Sequence, residues 1–166
     1  MANMEAFECL LKIRFELLET VGNEQFEVLW INLNLPRLPR GYNNSVIGTV
    51  YHPPSADNLA MLNYLMNCLS TLESLFSNCA FIILGDFDRL NISQVKSNYG
   101  LRQLVNFPTR GRNTLDLVLT NLYEYYDQPT PFSLSDHMSV ELKPKNRIQF
   151  QNAQRIKTKK RAKPLA

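Results

Sequence analysis

The sequence predicts a mixed α/β domain of the α+β kind in which strands outnumber helices, and three observations support this. Short runs alternate apolar and polar residues at a period of two, most clearly from Phe26 to Leu33. One segment after Asp57 repeats apolar residues at helical spacing. A continuous apolar run from Ala80 to Gly85 has the pattern of a strand covered on both faces. With 166 residues, 45% of them hydrophobic and 20% charged, the chain can close one domain around a real core.

Taken in order, residues 12–19 set Ile13, Phe15 and Leu17 against Lys12, Arg14 and Glu16, which is a strand pattern. Phe7, Leu10, Leu11, Arg14, Phe15 and Leu18 also fit one helix face, so both readings stand for this segment. Gly22-Asn23-Glu24 turns the chain into a strand that puts Phe26, Val28, Trp30 and Asn32 on one face, with Trp30 a core residue. The stretch 36–44 holds two prolines, Gly41 and an Asn pair, and reads as a hairpin loop. Ser45 to Tyr51 is a third strand stopped by Pro53-Pro54, with His52 a loop residue ahead of them. Asp57 is a good N-cap for a helix whose Leu62, Leu65, Met66, Leu69, Leu72 and Phe76 face the core. After the Ala80–Gly85 strand, a short helix is expected around Asn98 to Val105, leading to Phe107-Pro108-Thr109. A strand over Thr114 to Thr120 turns Leu115, Leu117 and Leu119 inward, with Asp116 and Val118 on its other side. A last strand, His137 to Leu142, is expected to bury Met138, Val140 and Leu142.

Charge divides the chain unevenly. Residues 1–142 hold 9 Lys/Arg and all 15 Asp/Glu, whereas 143–166 hold the other 9 basic residues and no acid. A basic segment so poor in apolar residues is expected to be disordered by itself. It suits backbone-phosphate contact, nuclear import, or a plain linker role. No apolar stretch approaches the ~18 residues that cross a bilayer, and the acidic start lacks the pattern of a secretory signal. Cys9, Cys68 and Cys79 follow no metal-ligand spacing, which points to reduced thiols in an intracellular compartment.

Three groups of residues carry chemistry: Gly85-Asp86-Phe87-Asp88, Thr114-Leu115-Asp116-Leu117 and Ser135-Asp136-His137. Carboxylates and an imidazole delivered from strand ends suit metal-assisted hydrolysis of a phosphate ester. Each also has a plainer reading. Asp86 can cap a turn, Asp88 can be a solvated loop acid, Asp136 can be a turn residue, and Tyr51 can simply end a strand. An Asp inside a strand is unfavourable by propensity, so Asp116 needs a defined partner, for which His137 is the candidate. Arg110 and Arg112 flank Gly111 in a loop, where phosphate contact and ordinary solvation weigh equally.

The strings VIGTVYHPPSADN, FIILGDFD, GLRQLVNFPTRGRNTLDLVLTNL and LSDHMSVEL occur in this order. Together they resemble the endonuclease/exonuclease/phosphatase superfamily, and more narrowly the apurinic-type endonuclease of non-LTR (LINE-like) retrotransposons. The resemblance implies a partial four-layer α/β/β/α sandwich with one site that takes Mg²⁺ (or Mn²⁺) at the strand ends. It implies that Asp86 orients or deprotonates water and that Asp116 orients His137, which contacts the scissile phosphate. It further implies that Asp136 lies near the metal and Tyr51 beside the phosphate. Two departures stand out. Position 88, where the family has an Asn that donates to the phosphate, is Asp88 here. The early Asn and metal-binding Glu of the family have no counterpart, since Glu5, Glu8, Glu16 and Glu19 lie in no matching motif.

The sequence therefore divides into an unmatched 1–23, a partial endonuclease-type domain at 24–142, and a basic tail at 143–166. The expected function is a metal-dependent DNA endonuclease fragment of weak or no activity, with DNA as partner and no membrane or small-molecule cofactor. The alternative is a non-catalytic nucleic-acid binder or inert remnant. A phosphatase of small esters fits the FPTR…LDLVLTN run less well.

Overall fold

A computed structural model describes residues 14–23, 25–35, 37–132 and 138–145. Its centre is a six-stranded sheet in the order β1-β2-β3-β4-β6-β5. These strands are β1 Arg14–Leu17, β2 Glu27–Asn34, β3 Asn44–Tyr51, β4 Cys79–Asp86, β5 Arg102–Gln103 and β6 Asp116–Thr120. Every neighbouring pair is antiparallel except β3 and β4, which run parallel from Asn44↔Cys79 to Tyr51↔Asp86. A parallel pair needs a crossover, and helix α1, Asn58–Leu75, supplies it. The Asp57 carboxylate caps α1 by accepting the N–H groups of Leu59 and Ala60 at 2.8 and 3.1 Å, satisfying two of its orphan donors.

The two faces of the sheet are finished differently. Met61, Tyr64, Leu65, Cys68, Leu69 and Leu72 of α1 pack with Trp30, Val46, Phe81, Ile83 and Leu119 in the larger cluster. Trp30 lies across Gly48, where an added Cβ would come within 2.5 Å of the indole, so the bare backbone opposite makes room for the ring. On the other face Leu104, Val105 and Val118 form a smaller cluster with Leu84, Val140 and Leu142. A two-stranded sheet, β7 Thr130–Pro131 with β8 Val140–Glu141, supplies part of that cover. Toward β1 and β2 the same face carries exposed apolar side chains, Phe15 71%, Leu17 48% and Leu29 43%.

Several expectations from the sequence meet the structure directly. Of residues 12–19, Arg14–Leu17 form a strand, and Glu19 opens a single 3-10 turn. Phe26, Val28 and Trp30 share the α1 side as their alternation required. The helix expected at 98–105 is corrected: α2 runs Ser93–Asn98, and Arg102–Gln103 is a strand. Gly100 takes φ +61 and Leu101 N–H returns to the Lys96 carbonyl, a left-handed helix stop. Leu101 and Leu104 then fall into the two different clusters. The last strand is corrected as well: among the described residues the regular strand is Val140–Glu141, and Met138 is 37% exposed. Met138 N–H is engaged by the Thr109 carbonyl instead of a ladder. Cys68 and Cys79 are buried free thiols, whereas Cys9 and the tail from 146 onward lie outside the described residues. Among those residues no helix is long and apolar enough to cross a membrane.

Two outcomes follow for stability. Gly85 sits at φ +137 with its α-carbon against β3, where an added Cβ would collide with the Val50 carbonyl. Gly85→Ala should therefore lower unfolding free energy by about 3 kcal/mol or more, from backbone strain plus displaced β3–β4 pairing, read by urea denaturation. Burial pushes the Cys79 thiol up to about 12, so between roughly pH 9 and pH 12 the unfolded chain binds fewer protons than the folded one. Stability should be fully present below pH 9 and fall above it, with Cys79 contributing up to about 1.4 kcal/mol per pH unit. Denaturation midpoints of wild type and Cys79→Ala across that window check this, the variant giving the flatter profile.

Candidate active site

Three adjacent strands of the sheet end on one rung. Tyr51, the last residue of β3, is the Cα partner of Asp86, the last residue of β4. Asp86 is in turn the partner of Asp116, the first residue of β6. Directly paired residues project to the same side of a pleated sheet, so the phenol and both carboxylates share the face opposite α1. Neighbouring strands are about 4.8 Å apart, which spaces the three groups across a width that suits a phosphodiester. Tyr51 is 44% exposed, and both aspartates are half-buried. The backbone around them is tied together: His52 N–H donates to the Asp86 carbonyl and Phe87 N–H to the Leu115 carbonyl, both at 2.9 Å.

Asp88 lies just past the rung. Its backbone takes φ +44, a left-handed conformation that Asn, Asp and Gly tolerate best among the residue types. Its N–H donates to Asp86 Oδ1 at 2.9 Å, closing a turn on the Asp86 carboxylate. That bond uses the main chain of position 88 and leaves its side chain to other work. Arg110 and Arg112 are exposed on a tight turn closed by mutual Arg110–Asn113 backbone bonds, with Gly111 at φ +59. Asp136 and His137 lie outside the described residues.

The chain re-enters the described structure at Met138, beside the rung. Met138 N–H donates to the Thr109 carbonyl at 2.8 Å. Met138 and Ser139 line a cavity of about 410 Å³ together with Gly85, Asp116 and Val118. A second cavity of about 570 Å³ is lined by Arg40, Tyr42, Asn78, Cys79 and Asn121. It lies at the opposite ends of the strands, where β4 begins, and contains none of the candidate residues. Chemistry favours the smaller one.

Three residues not singled out from the sequence as site residues also bear on the rung. Glu27, the first residue of β2, is the Cα partner of Tyr51 and extends the row by one more carboxylate on the same face. Only strand register places it there, and register is not written in one strand's sequence. His52, read as a loop residue, is 1% exposed, with Nε2 2.7 Å from Asn58 Oδ1, so it fastens the strand end to the start of α1. Its Nδ1 is buried without a partner among the described residues. Thr109, also 1% exposed, accepts the N–H groups of both Leu115 and Asp116 on its hydroxyl at 3.0 Å. The FPTR string contains it, but a Thr in a loop carries no signal of such a role.

Oxygen donors on adjacent strands fit a hard divalent cation, and Mg²⁺ is commonly held by one or two carboxylates with water and substrate phosphate completing its shell. Asp86 and Asp116 are the residues that could serve. Among the described residues no three His, Cys, Asp or Glu side chains group closely enough to hold a metal unaided.

Known proteins place the fold. Scans of protein-family models and of curated proteins gave no match. Among solved structures, the endonuclease domain of TRAS1, a telomere-specific non-LTR retrotransposon, aligns with a TM-score of 0.59 at 12% identity, covering 79% of this chain. The chain spans 66% of that structure's length. A functionally unknown conserved protein from Enterococcus faecalis V583 aligns at 13% identity over 71% of this chain and 56% of its own, with a TM-score of 0.48. The mixed sheet with few helices thus has the fold of a retrotransposon endonuclease domain, as the motif resemblance implied.

Proposed function

We propose that this chain is a nuclease-like domain that hydrolyses phosphodiesters of nucleic acid, DNA in the first instance, with divalent metal. The observation supporting this most directly is the rung on which Tyr51, Asp86 and Asp116 meet, in a fold like that of a retrotransposon endonuclease. Asp86 is held by its own turn and orients the attacking water as a general base. Asp116, from the next strand, orients the imidazole of His137 and favours its charged form beside the phosphate. The Tyr51 hydroxyl, exposed at the strand end, donates to a non-bridging oxygen. A bound Mg²⁺ would screen the phosphate charge, with Asp86, Asp116 and Asp136 the residues to hold it. Arg110 and Arg112 and the basic residues after 142 contact flanking phosphates.

Asp88 sets the expected level of activity. An anion stands where the resemblance calls for an amide donor, and loss of one such donor costs about 10²–10³ in rate. A second reading, a non-catalytic nucleic-acid binder, is favoured by this substitution and by the 9 basic residues of 143–166.

Supercoiled plasmid with Mg²⁺ distinguishes the two. Nicking by the wild type should be slow and should fall by about 10²–10⁴ in Asp86→Asn and in His137→Ala. Equal nicking by all three proteins removes the hydrolytic reading. Asp88→Asn should raise the wild-type rate by about 10²–10³ while leaving the thermal midpoint nearly unchanged, because Asn suits φ +44 and the Asp86–residue 88 bond is main-chain. A rate that stays flat in this variant would show that position 88 makes no contact with the phosphate.

A further inference from the structure

We infer that Thr109 is a positioning residue that couples the two walls of the cleft beside Asp116. One wall is the start of β6, where Asp116 and Val118 line the cavity; the other is the Met138–Ser139 segment. A single buried residue holds both. The Thr109 hydroxyl accepts the N–H groups of Leu115 and Asp116, and its carbonyl accepts the N–H of Met138. Its own N–H donates to the Asn113 carbonyl at 2.9 Å, fixing the residue from a fourth direction.

Leu115, one residue ahead of β6, and Asp116, its first residue, both meet the Thr109 hydroxyl, so the carboxylate is set by a side chain as well as by the ladder pairing with Asp86. The Met138 segment is also tied at its next residue, where the Ser139 carbonyl accepts the Phe132 N–H at 3.1 Å, and the β7–β8 pairing follows from Val140. Two half-buried N–H donors share this one acceptor. Removing the oxygen takes the partner from both, and a donor left unsatisfied away from water costs more than its bond contributes. The hydroxyl also reaches Met138 through the same residue's main chain, so a change in one wall is transmitted to the other. The consequence for cleavage rests on the hydrolytic reading above; the coupling itself does not.

Thr109→Val keeps shape and burial while deleting the acceptor, and Thr109→Ser keeps the acceptor. Amide hydrogen exchange should rise about tenfold or more at Leu115, Asp116 and Met138 in the Val variant and stay near wild type in the Ser variant. Met138 is the decisive amide, because its acceptor carbonyl is present in every variant. Faster exchange at Leu115 and Asp116 with Met138 unchanged overturns the coupling. A uniform rise that includes the α1 amides overturns it too, since Thr109 would then act on global stability. If Thr109→Val does not fold, native-state exchange of the wild type in sub-denaturing urea decides. The three amides should share one opening isotherm, and a separate isotherm for Met138 refutes the inference. In plasmid nicking, the Val variant should lose kcat by about tenfold or more with KM little changed, and Ser should restore it. A wild type that nicks nothing ends the hydrolytic reading and leaves the exchange result to judge Thr109.

Discussion

The close approach of β4 to β3 at Gly85 is the constraint on which the rest of the site depends. Without a Cβ there, the two parallel backbones stay in register through Val50↔Gly85 to Tyr51↔Asp86. The next hydrogen bond, from His52 N–H to the Asp86 carbonyl, carries the pairing one residue past the end of β3. A side chain at 85 would push β4 away just before its terminal carboxylate, and Asp86 would no longer face Tyr51. Asp116 follows from the same register, because β6 pairs with β4 from Asp86↔Asp116 onward. Three chemically useful groups thus meet through backbone ladders. No direct side-chain bond among them is needed, and the site is as rigid as the sheet.

Helix α1 and the sheet's second face play different parts. The α1 face is closed by large side chains, with Trp30, Phe81, Leu69 and Leu72 nearly inaccessible, and it supplies the stability on which strand register rests. Among the described residues the site face is covered near β4 and β6, where Val140 and Leu142 pack against Leu84 and Val118. That cover leaves Tyr51, Asp86 and Asp116 at the rim of an apolar layer. It also leaves Phe15, Leu17 and Leu29 in water, and Phe15 and Leu17 lie on an edge strand, a combination that invites association.

Much of this was legible in the sequence because local rules agreed with the global fold. The Asp57 cap, the spacing of Leu65, Leu69 and Leu72, and the alternation around Trp30 each have a single structural solution, and the sheet uses all of them. The strand-end placement of Asp86 followed from the apolar run before it. The short helix was misplaced because Leu101, Leu104 and Val105 repeat at near-helical spacing, while Gly100 at φ +61 stops the helix before them. Spacing alone cannot show that apolar neighbours serve two different cores. Glu27 and Thr109 were illegible for another reason. Their roles come from register and from a loop folding onto β6, both long-range facts that leave no local pattern.

Position 88 separates what the fold requires from what the proposed chemistry requires. What the fold demands there is a residue at ease with φ +44 and a main-chain N–H for Asp86, and Asp meets both demands as well as Asn. What hydrolysis of an anion demands is a donor, which a carboxylate cannot be while ionised. An Asn-to-Asp exchange therefore leaves the turn, the Asp86 orientation and the rung intact while reversing the electrostatics presented to a phosphate. Fold likeness to an endonuclease is blind to such an exchange. Hence a domain of this shape can retain every backbone feature around position 88 while, under the proposed hydrolysis, its rate would turn on the amide or carboxylate of that one side chain.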